Sequence, residues 1–139
     1  MKKIFLTIVL LFSLLQATET KSLYERLGGY DTIAAISKDF HLRLKADPKL
    51  GRFWANRGTD GVKRELQLLI NFLCASSGGA SYYLGRDMAT AHKGMKITDN
   101  DWKIFMHHLD ETLNKFKVHK QEHNEVIKFI ESLKSSIVE

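Results

Sequence analysis

The side chain with the clearest capacity for chemistry is His92, which lies in the segment 85–97 of a chain of 139 residues. Asp87 can cap a helical turn there, Met88 shares a face with His92 by i,i+4 spacing, and a glycine, Gly94, can end the turn in a left-handed conformation. Such a turn presents one imidazole among apolar side chains. One ring nitrogen could then form a single axial bond to haem iron. The alternative is an ordinary half-buried histidine at a helix end, and the segment alone leaves both interpretations open.

The other reactive side chains are weaker candidates. Cys74 is the single cysteine, so no disulfide can form within the chain, and its apolar neighbours indicate a packing residue. His107 and His108 lie on one predicted helix, where we expect one to pack near the core and the other to face solvent. His119 and His123 fall in a polar stretch that we interpret as a connection. We assign none of these four histidines to iron.

The elements that must position these groups are helical. Ser22 and Glu25 have the spacing of a capping box for a short first helix, which stops at the glycine pair 28–29. Asp31 is expected to cap a longer helix that ends before Pro48. Apolar residues with a period near 3.6 predict three more helices. These run over about 60–75, from a second capping box at 98–101 to about 116, and through the stretch that contains Val126, Ile127, Ile130, Leu133 and Ile137.

No stretch has the alternation typical of a strand, so the predicted fold class is all-α, in a single domain. The segment 78–85 has no helical period and is predicted to be a loop that leads to His92. Four helices around such an irregular stretch could leave a flat apolar slot, although the same side chains could simply form the core. The candidates for its lining are Phe40, Phe53, Trp54, Phe72, Trp102, Phe105 and Ile130.

The first residues have the pattern of a secretory signal peptide. Two lysines at positions 2–3 precede the apolar run 4–15, and Ala17 offers a small residue for cleavage. We predict a signal peptide at 1–20, cleaved near 17–20, and a secreted protein, periplasmic in a Gram-negative source. An uncleaved anchor is the alternative, although the run is shorter than the roughly 20 residues that span a bilayer. Loss of both lysines lowers the net charge from +5 to +3, too little to indicate nucleic-acid binding. We expect no stable membrane insertion after cleavage.

Four motifs resemble the group I truncated haemoglobins in their order and spacing, over residues 22 to 138. They are SLYERLGGY at 22–30, ADPKL at 46–50, GG at 78–79 followed by YLGRDM at 83–88, and AHKGMKIT at 91–98. The resemblance implies a truncated globin domain over 21–139, folded as a two-over-two helical sandwich around haem b. It also implies that His92 is the proximal iron ligand.

The resemblance further implies which residues contact the cofactor. Phe40, Phe53 and Trp54 match positions on the distal side of the haem, and the tryptophan stands where the family often has phenylalanine, which would narrow the pocket. Tyr83, Arg86 and Lys93 are near enough in sequence to neutralise propionates, although exposed basic residues are usually only solvated. The expected cofactor contacts are Phe40, Phe53, Trp54, Leu69, Phe72, Tyr83, Arg86, Met88, Met95, Ile97, Trp102, Phe105 and Ile130.

The main departure from the family pattern is His41, which stands where many members have tyrosine. Its imidazole could hydrogen-bond a bound ligand, could bind iron itself, or could face water. On the next helix, Glu65 and Leu69 fall nearest the family's distal positions. The connection 56–61 is longer than in familiar members, which leaves Gln67 or Leu68 as alternatives in a shifted register.

The function implied by the resemblance is binding of O2 and other diatomic ligands, NO and CO, at haem iron. One alternative is a redox enzyme with the same haem, which oxidises NO or reduces peroxide with an external electron donor. Another is a secreted helical interaction module without haem. Whether the protein is an enzyme stays open at this stage.

Overall fold

The computed structural model describes residues 20–139, so the predicted signal segment lies almost wholly outside the described residues. Within them the chain forms α-helices and two short 3-10 helices and no strand, which confirms the all-α prediction. None of the helices at 20–139 is long and apolar enough to cross a membrane. The α-helices are α1 (Leu23–Arg26), α2 (Gly29–Ala46), α3 (Thr59–Ser76), α4 (Met88–His92), α5 (Asp99–Lys115) and α6 (Lys120–Glu131), and the 3-10 helices are Leu50–Trp54 and Lys134–Ser136.

Both predicted capping boxes are present. At α1, the Glu25 amide donates to Ser22 Oγ at 3.2 Å and the Ser22 amide donates to Glu25 Oε2 at 2.8 Å. At α5, the Asp101 amide donates to Thr98 Oγ1 at 3.2 Å and the Thr98 amide donates to Asp101 Oδ2 at 2.9 Å. Each box satisfies amides that the first helical turn leaves without partners, which stabilises a helix by about 1 kcal/mol.

Two helix starts differ from the prediction. The long helix α2 begins at Gly29, so Asp31 lies in its first turn and does not cap it. The chain reverses between α1 and α2 at Gly28, whose φ of +96° is left-handed and is accessible to glycine without strain. The last helix begins at Lys120, so His123 lies inside α6 and not in a connection.

The helices pack as two pairs. Helix α2 packs on α3 and on α5, and α5 packs on α6. The main apolar cluster lies where α2, α5 and α6 meet, and each large side chain fully buried there contributes roughly 1.5–3 kcal/mol. Its buried members are Ile36, Phe40, Leu44, Leu50, Ile97, Trp102, Leu109, Leu113, Ile130 and Ile137. A smaller cluster of Ile33, Ile70 and Cys74 joins α2 to α3.

Two arginine side chains attach the short elements to this frame through ion pairs. Arg26 of α1 contacts Glu122 and Glu125 of α6, each at 2.6 Å. Arg52 donates two hydrogen bonds to the buried Asp101 carboxylate, at 2.7 and 3.0 Å, and so ties the 3-10 helix Leu50–Trp54 to the start of α5. A bidentate pair of this kind fixes orientation as well as distance. The adjoining aromatic side chains of that 3-10 helix are therefore held at a defined place beside the core.

Candidate functional site

The short helix α4 forms as its local sequence predicts. The Thr90 amide donates to the side chain of the N-cap Asp87 at 2.9 Å, and the helix ends at His92. The backbone then leaves the helical conformation at Lys93, and Gly94 adopts a left-handed φ of +79°. His92 is thus the last residue of an isolated helical turn, with its side chain half-buried.

The hydrogen bond of His92 determines which ring nitrogen is free. Its Nδ1 lies 2.7 Å from the carbonyl oxygen of Met88, one turn earlier. Because a carbonyl oxygen can only accept, Nδ1 carries the proton, and Nε2 keeps an unshared lone pair. A metal-binding histidine is typically oriented in this way by a backbone carbonyl. Among residues 20–139, no group of three or more His, Cys, Asp or Glu side chains is arranged to hold a metal ion.

The surroundings of His92 are apolar. Met88 and Met95 are half-buried against the main cluster, and Ile97 is buried in it. Trp102 stacks on Phe105 with ring centres 5.2 Å apart. These predicted contacts belong to one apolar cluster, and Met88 lies on the same helical turn as His92.

A cavity of about 510 Å³ lies between α1, α2, α3, α5 and α6. Of the predicted contacts, Phe40, Leu69, Phe105 and Ile130 line it, whereas His92 does not. Its volume falls in the range of about 300–1,000 Å³ that is usual for small-molecule pockets. Four side chains from four helices therefore converge on one apolar space, which helical periodicity alone could not show.

The aromatic side chains near the loop that precedes α4 form a separate group. The ring of Phe72 packs edge to face against Tyr83, with ring centres 5.2 Å apart, and stacks on Phe129, with ring centres 5.8 Å apart. Tyr83 donates its hydroxyl proton to the carbonyl oxygen of Arg86 at 2.7 Å, and the Arg86 and Lys93 side chains are exposed. Phe129 was not among the predicted residues. Its position three residues after Val126 on the apolar side of α6 was the available signal.

His41 is buried, with 4% of its surface exposed, so the solvent-facing alternative is wrong. It lies on α2 with its ring nearly perpendicular to that of Trp54, and the two ring centres are 5.7 Å apart. Its Nε2 is 3.5 Å from Glu65 Oε1 but has no hydrogen-bond partner among the described residues. A buried, unpartnered polar nitrogen is costly unless something else satisfies it, so this atom is a candidate ligand contact.

Glu65 is the charged centre of the same group. It accepts a hydrogen bond from Trp54 Nε1 at 2.8 Å and forms an ion pair with Arg57. Burial favours the neutral acid, but the adjacent His41, Arg57 and Trp54 together hold the pKa of Glu65 below its ordinary value. The carboxylate is therefore ionised near neutral pH. Arg57, which the sequence did not single out, is the second residue that the prediction missed.

Gln67 does not belong to this group, and its prediction as a distal residue is wrong. It is exposed, and its amide nitrogen donates to the Tyr30 hydroxyl at 3.1 Å and to Asn71 Oδ1 at 2.9 Å. Residues two apart on a helix point about 200° away from each other, so a helix that turns Glu65 toward His41 turns Gln67 away. Leu69, one turn after Glu65, is half-buried and lines the cavity.

A two-over-two sandwich of helices, with one histidine on a short isolated helix and a polar group on α2 and α3, defines a small globin. The chain belongs to the family described as Bacterial-like globin, whose model matches residues 22–139. The cofactor of this family is haem b. The resemblance drawn from the four motifs is thereby confirmed.

The relatives found are group 1 truncated hemoglobins. That of Tetrahymena pyriformis is 28% identical over 118 residues, which cover 85% of this chain and 95% of the relative. That of Mycolicibacterium paratuberculosis is 27% identical over 119 residues, which cover 86% of this chain and 85% of the relative. The solved structure of the Tetrahymena pyriformis truncated hemoglobin in its Fe(III) form gives a TM-score of 0.77 at 27% identity and covers 85% of this chain and 98% of that one. These likenesses confirm the two-over-two fold.

The residues of this chain fit a haem group. His92 leaves Nε2 free, Met88 and Met95 beside it are half-buried, and His41 has a buried nitrogen that no residue within 20–139 hydrogen-bonds. His92, Met88 and Met95 would hold the group, and a small ligand bound to it could accept a hydrogen bond from the buried His41 nitrogen.

Proposed function

We propose that this protein binds haem b through Nε2 of His92 and, as the haem protein, reversibly binds O2 and other diatomic gases such as NO and CO. The observation that carries the proposal is the 2.7 Å contact between His92 Nδ1 and the Met88 carbonyl oxygen. This contact leaves Nε2 with a lone pair that can bind iron, and it restricts rotation of the ring about its side-chain bonds.

The bound haem would supply a ferrous iron with one open coordination position for the gas. On that side we propose His41 as the hydrogen-bond donor. Glu65 Oε1 lies 3.5 Å from His41 Nε2, and an acceptor beside that nitrogen is compatible with the ring tautomer that carries its proton there. Trp54 and Arg57 keep the carboxylate in place, because both donate to it. A donor held in this way would stabilise partial negative charge on a bound dioxygen.

Gas binding also requires that water be excluded, and apolar side chains supply this. Phe40, Leu69 and Phe105 line the cavity. The rings of Phe40 and Phe105 contact each other edge to face, with 5.0 Å between their centres. A space of this kind admits small uncharged gases and disfavours water and ions, which lose their hydration there. We propose that it lowers the rate at which water reaches the gas-binding side.

The axial assignment is tested by His92→Ala, with His107→Ala as the matched control, since His107 is exposed on α5. We expect the alanine variant at position 92 to lose haem on a desalting column and to regain it in the presence of imidazole, whereas the control retains haem like the wild type. Equal retention by all three proteins, with unchanged ferrous spectra, would overturn the assignment.

Redox turnover at the haem is a second candidate function. The observation that favours it is the buried His41 beside the ionised Glu65, because such a couple can accept or deliver a proton. We propose that any oxidation of NO or reduction of peroxide draws its electrons from an external donor. Stopped-flow mixing of the oxygenated protein with NO tests it: rapid formation of ferric protein and nitrate supports turnover, and simple displacement of O2 by NO contradicts it.

A further inference from the structure

The backbone that follows His92 takes an unusual path. After the helix ends, both Gly94 and Lys96 have left-handed backbones, with φ of +79° and +54°. Lys96 carries a side chain, so this conformation is strained there and needs support from its surroundings. The intervening Met95 donates its amide to the His92 carbonyl oxygen at 3.1 Å. The loop 93–97 is therefore a compact reversal attached directly to His92.

The support comes from Glu139, far away in sequence. The Gly94 amide donates to Glu139 Oε1 at 2.7 Å, and the Lys96 amide donates to Oε2 at 2.5 Å. The Glu139 amide in turn donates to the carbonyl oxygen of the buried Ile97 at 2.9 Å. Backbone amides that converge on one anion form an anion-binding nest, and here the amides of Gly94 and Lys96 converge on a side chain of the same protein.

We propose that Glu139 is a positioning residue for His92. Its carboxylate holds the two amides that follow α4, and so sets the direction in which the helix ends and the imidazole faces. The 3-10 helix Lys134–Ser136, which packs against α4, brings Glu139 to this place. The inference rests on the proposed role of His92 in binding haem. It adds that α4 is oriented by a residue that hydrogen-bonds the loop after the helix and not the imidazole itself.

The test compares Glu139→Ala, Glu139→Gln and the wild type, with Glu111→Ala on the exposed side of α5 as the control. Alanine removes both acceptors. Glutamine keeps one carbonyl oxygen but turns an NH2 group toward the other amide. The readouts are hydrogen exchange of the Gly94 and Lys96 amides, the iron–imidazole stretching band of the ferrous protein by resonance Raman, and the rate of haem transfer to an apoglobin acceptor.

We expect alanine to speed exchange of both amides at least tenfold, to shift or broaden the iron–imidazole band, and to speed haem loss roughly tenfold, as with other outer-shell partners of metal ligands. Glutamine should fall between alanine and the wild type, and the Glu111 variant should match the wild type. Faster exchange with an unchanged band and unchanged haem loss would overturn the positioning role. That result is distinct from failure of the proposed function, which would appear as haem retention by His92→Ala. If the alanine variant does not fold, the same three readouts on the glutamine variant decide.

Discussion

Replacement of His41 by leucine is the most direct test of the distal group. The change keeps a buried side chain of similar size beside Trp54 but removes the nitrogen that lies 3.5 Å from Glu65. Among the described residues that nitrogen makes no hydrogen bond, and Glu65 Oε1 lies 3.5 Å away from it. A hydrogen bond from this nitrogen to a bound gas would have a strongly polar acceptor and would weaken only the longer contact with Glu65.

A bond of this kind contributes roughly 1.5–3 kcal/mol. At 1.36 kcal/mol for each factor of ten, its loss should speed O2 dissociation by about 10- to 150-fold. The assay is O2 release from the ferrous protein in a stopped-flow mix with excess CO. His41→Gln, which keeps an N–H donor, should lie between the wild type and the leucine variant. CO dissociation should change far less, because bound CO carries little negative charge.

The unliganded ferrous spectrum separates this role from direct iron ligation by His41. A donor predicts a five-coordinate spectrum in both proteins, whereas a ligand predicts a six-coordinate low-spin spectrum that becomes five-coordinate in the leucine variant. If O2 release and the unliganded spectrum are both unchanged in His41→Leu, the reasoning from the unpartnered nitrogen is refuted. Glu65→Gln would then be the next variant to examine.

Three further outcomes are expected. The pKa of Asp47 is lowered to about 2, chiefly by its hydrogen bond with His108, so its stabilising effect is complete above its ordinary value of 3.8 and is lost as the pH falls toward 2. Urea titrations should accordingly show a smaller loss of stability between pH 4 and 2 in Asp47→Asn than in the wild type. Asp101→Ala removes a capping box and a bidentate arginine contact and should lower the free energy of unfolding by about 2 kcal/mol, whereas Asp99→Ala in the same turn should have little effect. The mature protein from its native host should begin between residues 18 and 21 by intact mass, and a full-length mass in the membrane fraction would favour the uncleaved anchor.

Much of the helical framework could be predicted because it depends on local interactions. The capping boxes at Ser22 and Thr98 join atoms three residues apart, and the turn around His92 needs only a capping aspartate and a following glycine. Such contacts form wherever the chain carries these residues at this spacing. The starts of α2 and α6 were less accurately predicted, because tertiary packing and a left-handed glycine also determine where a helix begins.

The composition of the distal group depended on the rotation of one helix. The sequence offered Glu65 and Gln67 as alternatives, and only the packing of α3 on α2 turned the carboxylate toward His41 and the amide toward solvent. The pattern of apolar residues in a helix indicates which face is buried. A residue at the edge of that face can be either buried or exposed, and the pattern does not decide which.

By itself, then, the sequence determined the helices, the isolated turn at His92 and, through four motifs, the family. The tertiary structure decided that His41 is buried with no hydrogen bond to its Nε2 from the part of the chain that is described, that Arg57 joins Glu65, and that Glu139 binds the loop after His92. The physical reason is distance along the chain. Residues 94 and 139 are 45 positions apart, and no periodicity relates them, so their contact exists only because the packed helices bring their ends together.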